Sequence, residues 1–242
     1  MKAPSTEIIG DLAPTGVLRA ALNLGNPVLA QGTAEAPAGV TVDIARELGA
    51  RLGVPVMLMC FDAARLSFEA MSANRADICF LAIEPVRAEK LAFTAPYVLI
   101  EGVFAFPREC EITALDGVDQ SHVSIRVQAG SAYDLFLSRT VQRAHVVRGD
   151  EQNAHDQPLT VIAGIGPQLI AFVQQNRAYR LIEEPSMQIR QALGVSRNRN
   201  RETISYLSAT IDDLKANGFI LAALRRSGQD DVTVAPVSGI VG

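Results

Sequence analysis

A chain of 242 residues, 48% hydrophobic and 20% charged, has the apolar content of one large α/β domain or two small ones, and too much for a disordered protein. With 22 Lys+Arg against 26 Asp+Glu, the net charge of −4 offers no basic field to a phosphate backbone, so nucleic acid is not an expected partner. Every apolar run breaks before the ~18 residues that a membrane span requires, so no direct membrane insertion is expected.

At the amino end, MKAPSTEIIGDLAPTG has no apolar core of about 7–15 residues such as a secretory signal carries. Two expectations stay open: a start after a removed signal, or a cytoplasmic protein. VLRAAL (17–22) reads as a strand and NLGNP as the loop after it. In 42–53, Ile44, Leu48 and Leu52 recur every four residues and Gly53 follows, which predicts a helix with its stop. A strand over 54–60 and a helix over 65–74 come next. ADICFLAI (76–83) is apolar without alternation, as in a strand covered on both faces. A turn Pro at 85 precedes Arg87, at the start of a short helix, and 97–106 is a long strand.

After a polar stretch from Pro107, the rhythm restarts with a strand at 122–130 and a helix at 131–141, where Ser131 and Asp134 have capping-box spacing. Strands at AHVVRG and LTVIAG, a helix at 166–176 and strands at YRLIEE and QIRQALGV follow. Ile204, Leu207, Ile211 and Leu214 then form a helical stripe that Gly218 breaks. RNRNRE (197–202) reads as a solvated loop, Glu183–Glu184 and Asp212–Asp213 as surface charges, and the tail TVAPVSGIVG as mobile. Strands alternating with helices indicate α/β layering, and the restart near residue 107 indicates two lobes.

Catalytic signatures are scarce. His122, His145 and His155 are scattered, and Cys60, Cys79 and Cys110 have no CxxC spacing, so the cysteines read as free thiols and neither metal nor cofactor is expected. GIGPQL lacks the third glycine of a dinucleotide fingerprint.

GVLRAALN (16–23), GVTVDIARELGARLGVPV (39–56), ADICFLAIEPVRAEKLAFTAPY (76–97) and VQAGSAYDLFL (127–137) fall in an order that resembles the family-3 solute-binding proteins of bacterial amino-acid ABC transporters. The resemblance covers roughly residues 12–228. It implies a type II periplasmic-binding-protein-like fold, with two α/β lobes joined by two crossover strands and closing by hinge bending around a small carboxylate-bearing or amino-acid-like ligand. Lobe 1 would comprise 1–103 plus 193–242, and lobe 2 would comprise 104–192. An ABC transporter membrane component is the implied partner and the periplasm the implied location.

The family's TPERA turn reads EPVRA here, so the resemblance assigns Arg87 to the ligand carboxylate, a role suited to a planar fork of donors. The alternative is a surface pair with Glu84 or Glu89. Were Arg87 only a ligand clamp, Arg87→Ala would leave the unliganded melting point nearly unchanged. Gly130 and Ser131 match the turn whose backbone N–H groups, at a helix start, meet the same carboxylate. Asn23 and Asn26 occupy the loop after the first strand, where the family carries an aromatic cover. Ala82, beside Ile83, replaces a common hydroxyl residue. Phe61 and Asp62 fall where the family has an aromatic wall and an acid, and Glu101 lies in a crossing strand.

No acid occurs in AGIGP (163–167), where the partner of an α-ammonium is implied. Ordinary α-amino acids are therefore expected to bind less well than carboxylates without the amine. A binding protein is the leading expectation. The alternatives are a dehydratase acting on prephenate or arogenate, with Asp62 or Glu101 as acid or base, and a ligand-sensing domain.

Overall fold

The computed structural model describes residues 3–149, 159–182 and 184–238. Segment 150–158, expected to be short for the family, lies outside them, as do His155, Glu183 and the tail beyond 238. The chain separates into two compact units, Met1–Leu99 with Arg190–Gly242, and Ile100–Ile189.

The first unit opens with helix α1 (Thr6–Leu12), which sequence reading missed; Ser5 Oγ caps it by accepting from Ile8 N–H. Then come β1 (Leu18–Asn23), the hairpin strands β2 (Gln31–Gly32) and β3 (Pro37–Ala38), and α2 (Val40–Leu52). Helix α2 buries Val40, Ile44, Leu48 and Leu52 on one face and ends at Gly53 in the left-handed region, φ +68°. Next are β4 (Val56–Phe61), α3 (Ala64–Ser72), β5 (Ile78–Ala82), the one-turn α4 (Pro85–Ala88) and β6 (Leu91–Phe93). Every residue of β5 is buried, as its unbroken apolar run predicts.

Strand β7 (Val98–Pro107) carries the chain into the second unit, built from β8 (Ser124–Val127), α5 (Ala132–Thr140), β9 (His145–Arg148), β10 (Thr160–Ile165), α6 (Gly166–Gln175) and β11 (Tyr179–Leu181). Strand β12 (Met187–Ser196) leads back to the first unit, which closes with α7 (Arg201–Ala216), α8 (Phe219–Arg226) and β13 (Thr233–Val234).

Each unit has the same sheet plan. In the first, β1 lies between β4 and β5, parallel to both, and β12 runs antiparallel on the far side of β5. In the second, β8 lies between β9 and β10, parallel to both, and β7 runs antiparallel beside β10. The chain therefore goes from the central strand to one side and then crosses to the other. Right-handed crossovers on opposite sides of β1 put α2 and α3 on opposite faces. A core of Ala21, Met71, Cys79, Leu81 and Leu91 forms in the first unit, and Val103, Ala105, Ile162 and Leu169 form one in the second.

One surface expectation, the mobile tail, is corrected, and two others gain partners. The 197–200 segment is a largely exposed turn leading into α7, with Arg199 half-buried. Arg199 reaches Asp77 Oδ1 at 2.9 Å and donates to the Asp11 carbonyl, while Asp77, with no exposed surface, also takes Arg19 Nε and Nη2 at 2.9 and 2.8 Å. A buried carboxylate demands such partners, and the two arginines supply them. Asp212 and Asp213 are surface charges with partners: Asp212 pairs with Lys215 at 2.7 Å and Asp213 with Arg51 at 2.8 Å. The tail is held up to residue 238, for β13 pairs with β7, Ala235 N–H donates to the Tyr97 carbonyl, and Ser238 N–H donates to Asp212.

Candidate functional site

In an open α/β sheet the crevice forms at the carboxyl ends of the strands, where successive connections depart in opposite directions. In the first unit that place is the gap between the ends of β1 and β5, bordered by Asn23 and Ala82.

The loop leaving β1 is tightly specified. Leu24 N–H donates to the Phe61 carbonyl at 2.8 Å, and Asn23 Oδ1 accepts from Gly25 N–H at 3.1 Å. A side chain on Gly25 would start 2.2 Å from the Asp62 carbonyl oxygen, so only glycine lets the loop press so close. Asn26 then begins a turn, its carbonyl accepting from Leu29 and Ala30 N–H at 3.0 Å each. It is 8% exposed, and its Oδ1 has no hydrogen-bond partner among the described residues.

Arg87 sits across the crevice. Proline at the first helical position fits α4, and Glu84 is its N-terminal flanking residue. The one turn of helix brings Arg87 Nη1 to the Ala82 carbonyl at 3.1 Å, with the side chain only 2% exposed. Burial lowers its pKa from the usual arginine value, and the charges of Glu84 and Cys79 act in the opposite sense. Of the two local acids, Glu84 is itself buried and its charge acts on Arg87, and Glu89 is exposed. Burial also pushes the Cys79 thiol up to about 12, an effect that Arg87 partly offsets.

Asn23, Asn26, Ala82, Ile83 and Arg87 are thus gathered at the ends of β1 and β5. Ile83 is half-buried, its N–H donating to the Arg190 carbonyl at 2.9 Å. Phe61 and Asp62 lie on the β4 side of β1. Phe61 packs on the core around Cys79 and Leu81, and Asp62 is exposed.

In the second unit, the equivalent gap lies between the ends of β8 and β10. Ser131 is the N-cap of α5, its Oγ accepting from Asp134 N–H at 3.0 Å, as the capping box predicts. Gly130, at φ +70°, adopts a conformation that suits glycine. Gly130 N–H donates to Asp134 Oδ2 at 2.7 Å within the turn. Asp134, 3% exposed, also accepts from Ser138 Oγ at 3.0 Å and Arg148 Nε at 3.1 Å, and Arg148 Nη2 approaches its other oxygen at 2.9 Å. Arg148 comes from β9 and gave no sequence signal, because pairing across strands leaves no mark at short spacing. The N–H groups of a helix's first turn have no carbonyl of their own helix to bond, and in α5 that of Asp134 is taken by Ser131 Oγ.

Glu101 is exposed on β7. The register that pairs Gly102 with Ile165 sets it opposite Gly166, where a side chain on the glycine would start 3.7 Å from the Glu101 carbonyl oxygen. Residues 163–167 themselves present only apolar side chains or none.

A shallow depression between α2 and α8 holds the pairs Arg226–Asp43 and Glu47–Arg51 beside the exposed Arg46. Among the described residues there is no group of three or more His, Cys, Asp and Glu arranged to hold a metal, and no helix long and apolar enough to cross a membrane.

Several solved structures share this fold. The cysteine-binding protein of Campylobacter jejuni superimposes with a TM-score of 0.74 at 18% identity, covering 94% of this chain and 98% of its own. A putative binding component of an ABC transporter from Wolinella succinogenes, complexed with lysine, gives 0.72 at 16% identity over 88% and 95%. An ancestral amino-acid-binding protein, a precursor of cyclohexadienyl dehydratase, gives 0.71 at 14% identity over 91% and 98%. At these identities the likeness is one of fold: the mixed α/β architecture is that of type II periplasmic binding proteins. A search of curated protein sequences finds no match. The family model of the bacterial extracellular solute-binding proteins, family 3, matches residues 20–227, and the chain belongs to that family.

Proposed function

We propose that this solute-binding protein takes a small carboxylate-bearing molecule and delivers it to the membrane component of an ABC transporter without converting it. The observation that carries the reading is Arg87, a buried guanidinium at the strand-end crevice of the first unit, steadied by the Ala82 carbonyl. Its fork of donors matches a carboxylate, and a charge-assisted pair in a desolvated site contributes about 1.5–3 kcal/mol. Asn23, Asn26, Ala82 and Ile83 border the same place. In the second unit, Ser131 with the α5 start and Glu101 are the candidates. Phe61 and Asp62 form the outer edge on the β4 side. Closure of the units about β7 and β12 would make ligand binding and hinge bending one event.

The fold relatives described as binding cysteine and lysine agree with a small solute bearing a carboxylate. The family is described as extracellular, which supports a site of action outside the cytoplasm; fractionation of expressing cells tests that. The experiment for the binding reading is a thermal-shift screen of carboxylic and amino acids on the wild type and on Arg87→Lys. A ligand at 100 times its dissociation constant adds about 2.7 kcal/mol to stability. Shifts in the wild type that collapse in Arg87→Lys are expected, since a point charge cannot reproduce the fork. Equal shifts in both proteins would remove Arg87 from the site. Prephenate and arogenate serve as controls, because the relationship of one fold relative to a dehydratase makes conversion the competing reading. Loss of either compound on incubation would establish an enzyme.

A further inference from the structure

We infer that the carboxyl-terminal segment, residues 233–238, is a strap that fixes where β7 bends and so limits the range of opening of the two units. This rests on the reading of a protein whose units close by hinge bending, and adds a part that hinge bending does not itself require. Two strands connect the units, β7 outward and β12 on the return. A connecting strand bends where its pairing stops, because paired residues move with their own sheet and a few residues at the boundary absorb the change in backbone angle.

On β12 the first unit begins at Arg190, whose carbonyl accepts from Ile83 N–H at 2.9 Å, and the register with β5 starts at Gln191. On β7 the first unit ends at Leu99, and there it is the tail that pairs: Thr233 stands opposite Leu99, and Val234 opposite Val98. The second unit takes hold at Gly102, which is opposite Ile165 and whose carbonyl accepts from Ser186 N–H at 2.8 Å. Ile100 and Glu101 lie between the two holds.

The tail is firmly fastened where it crosses β7. Ala235, 2% exposed, donates its N–H to the Tyr97 carbonyl at 3.0 Å. Lys215 Nζ joins the Pro96 and Pro236 carbonyls at 3.2 and 2.8 Å, and Ser238 N–H donates to Asp212 Oδ1 at 3.1 Å. These bonds run only to residues 96–99 and to α7, so the segment secures the exit of the strand that must bend. Without it, Val98 and Leu99 lose a pairing partner, bending spreads back toward Tyr97, and a wider set of open arrangements becomes accessible.

The test reads the spread of distances between the units in the unliganded protein. Nitroxide labels go on Ser72→Cys and Gln175→Cys, an exposed position in each unit, in a background of Cys60→Ser and Cys110→Ser, and pulsed electron spin resonance gives the distribution. The chain shortened after Asp231 is expected to give a broader distribution than the full chain. Thr233→Pro is the milder variant, at an exposed position, and decides the matter should the shortened chain fail to fold. The bonded pair of Ala235 with Tyr97 repeats two residues away at Thr233 and Leu99, so proline at 233 removes a pairing N–H. Thr233→Pro is expected to broaden the distribution, and Thr233→Val, which keeps the N–H, to leave it as in the wild type. A width unchanged by Thr233→Pro overturns the inference, as does equal broadening in Thr233→Val. No solute is present in this measurement, so a failure of the solute-binding reading shows in the thermal-shift screen instead and is a different result.

Discussion

The burial of Arg87 separates its structural role from the ligand-binding role proposed for it. The sequence reading expected an arginine that could be cut away without cost to the unliganded fold. A guanidinium 2% exposed, bonded to the Ala82 carbonyl and in the field of a buried Glu84, does not allow that. Arg87→Ala is expected to destabilise the unliganded protein by about 3 kcal/mol or more, because it strands the Glu84 carboxylate in a dry place. Arg87→Lys keeps a cation there and is expected to lose much less stability while losing ligand affinity at least tenfold. Urea denaturation of both, with and without ligand, separates the roles. An alanine variant as stable as the wild type would mean that Glu84 does not depend on Arg87.

Cys79 belongs to the same neighbourhood. Its thiol is pushed from 9.0 up to about 12 by burial. The folded state therefore favours the protonated form. The associated stability is fully present below about pH 9 and is lost as pH rises toward 12. Tyr97 is buried and raised in the same direction, so both groups oppose folding in strong alkali. In the native protein, Cys79 is expected to resist thiol reagents at pH 8 while the half-buried Cys60 and Cys110 are modified. Cys79→Ala is expected to flatten the fall in stability between pH 9 and 12. Prompt labelling of Cys79 without unfolding would contradict its burial.

At the scale of elements, the last residues do more than end the chain. Strand β13 adds to the first residues of β7, the strand that runs on into the second unit. Lys215 on α7, its side chain 1% exposed, ties the arrangement together: Nζ donates to the Pro96 carbonyl at 3.2 Å and the Pro236 carbonyl at 2.8 Å, and pairs with Asp212 at 2.7 Å. Lys215→Met removes the cation and leaves two carbonyls and an acid without it. A loss of about 2–4 kcal/mol is expected, together with faster trimming by carboxypeptidase back toward Asp231. Mass spectrometry of the digest reads this directly, and an unchanged trimming rate would show that β13 holds without the lysine. At the opposite, amino-terminal ends of β1 and β5, Asp77 performs a similar service for Arg19 and Arg199, fastening α1 and the 197–200 segment to the sheet.

At the scale of the molecule, the elements legible in the sequence were those whose burial writes a period or an unbroken run. Helix α2 announced itself through Ile44, Leu48 and Leu52, and β5 through apolar residues with no polar break. The cap of α5 was legible because Ser131 and Asp134 are three residues apart. Helix α1 was not, since seven residues with one fully buried leucine carry too little pattern. The tail was misread, and the contacts of Arg199 went unseen, for another reason. Both rest on backbone pairing and on acids distant in sequence, Asp11, Asp77 and Asp212, which composition cannot reveal. The site divides the same way. Arg87, Asn26 and Ser131 follow strand ends and can be placed from the βα rhythm. The bond from Gly130 to Asp134, and the arginine that β9 brings to it, depend on geometry alone.

The central claim is that Arg87 receives the carboxylate of the solute. A crystal structure of the protein with the carboxylic acid that gives the largest thermal shift tests it most directly. Two roughly parallel hydrogen bonds of about 2.7–2.9 Å from the Arg87 guanidinium to the ligand carboxylate are expected, at the gap between the ends of β1 and β5. A bound carboxylate held elsewhere, with Arg87 making no contact to it, would exclude Arg87 as its receptor.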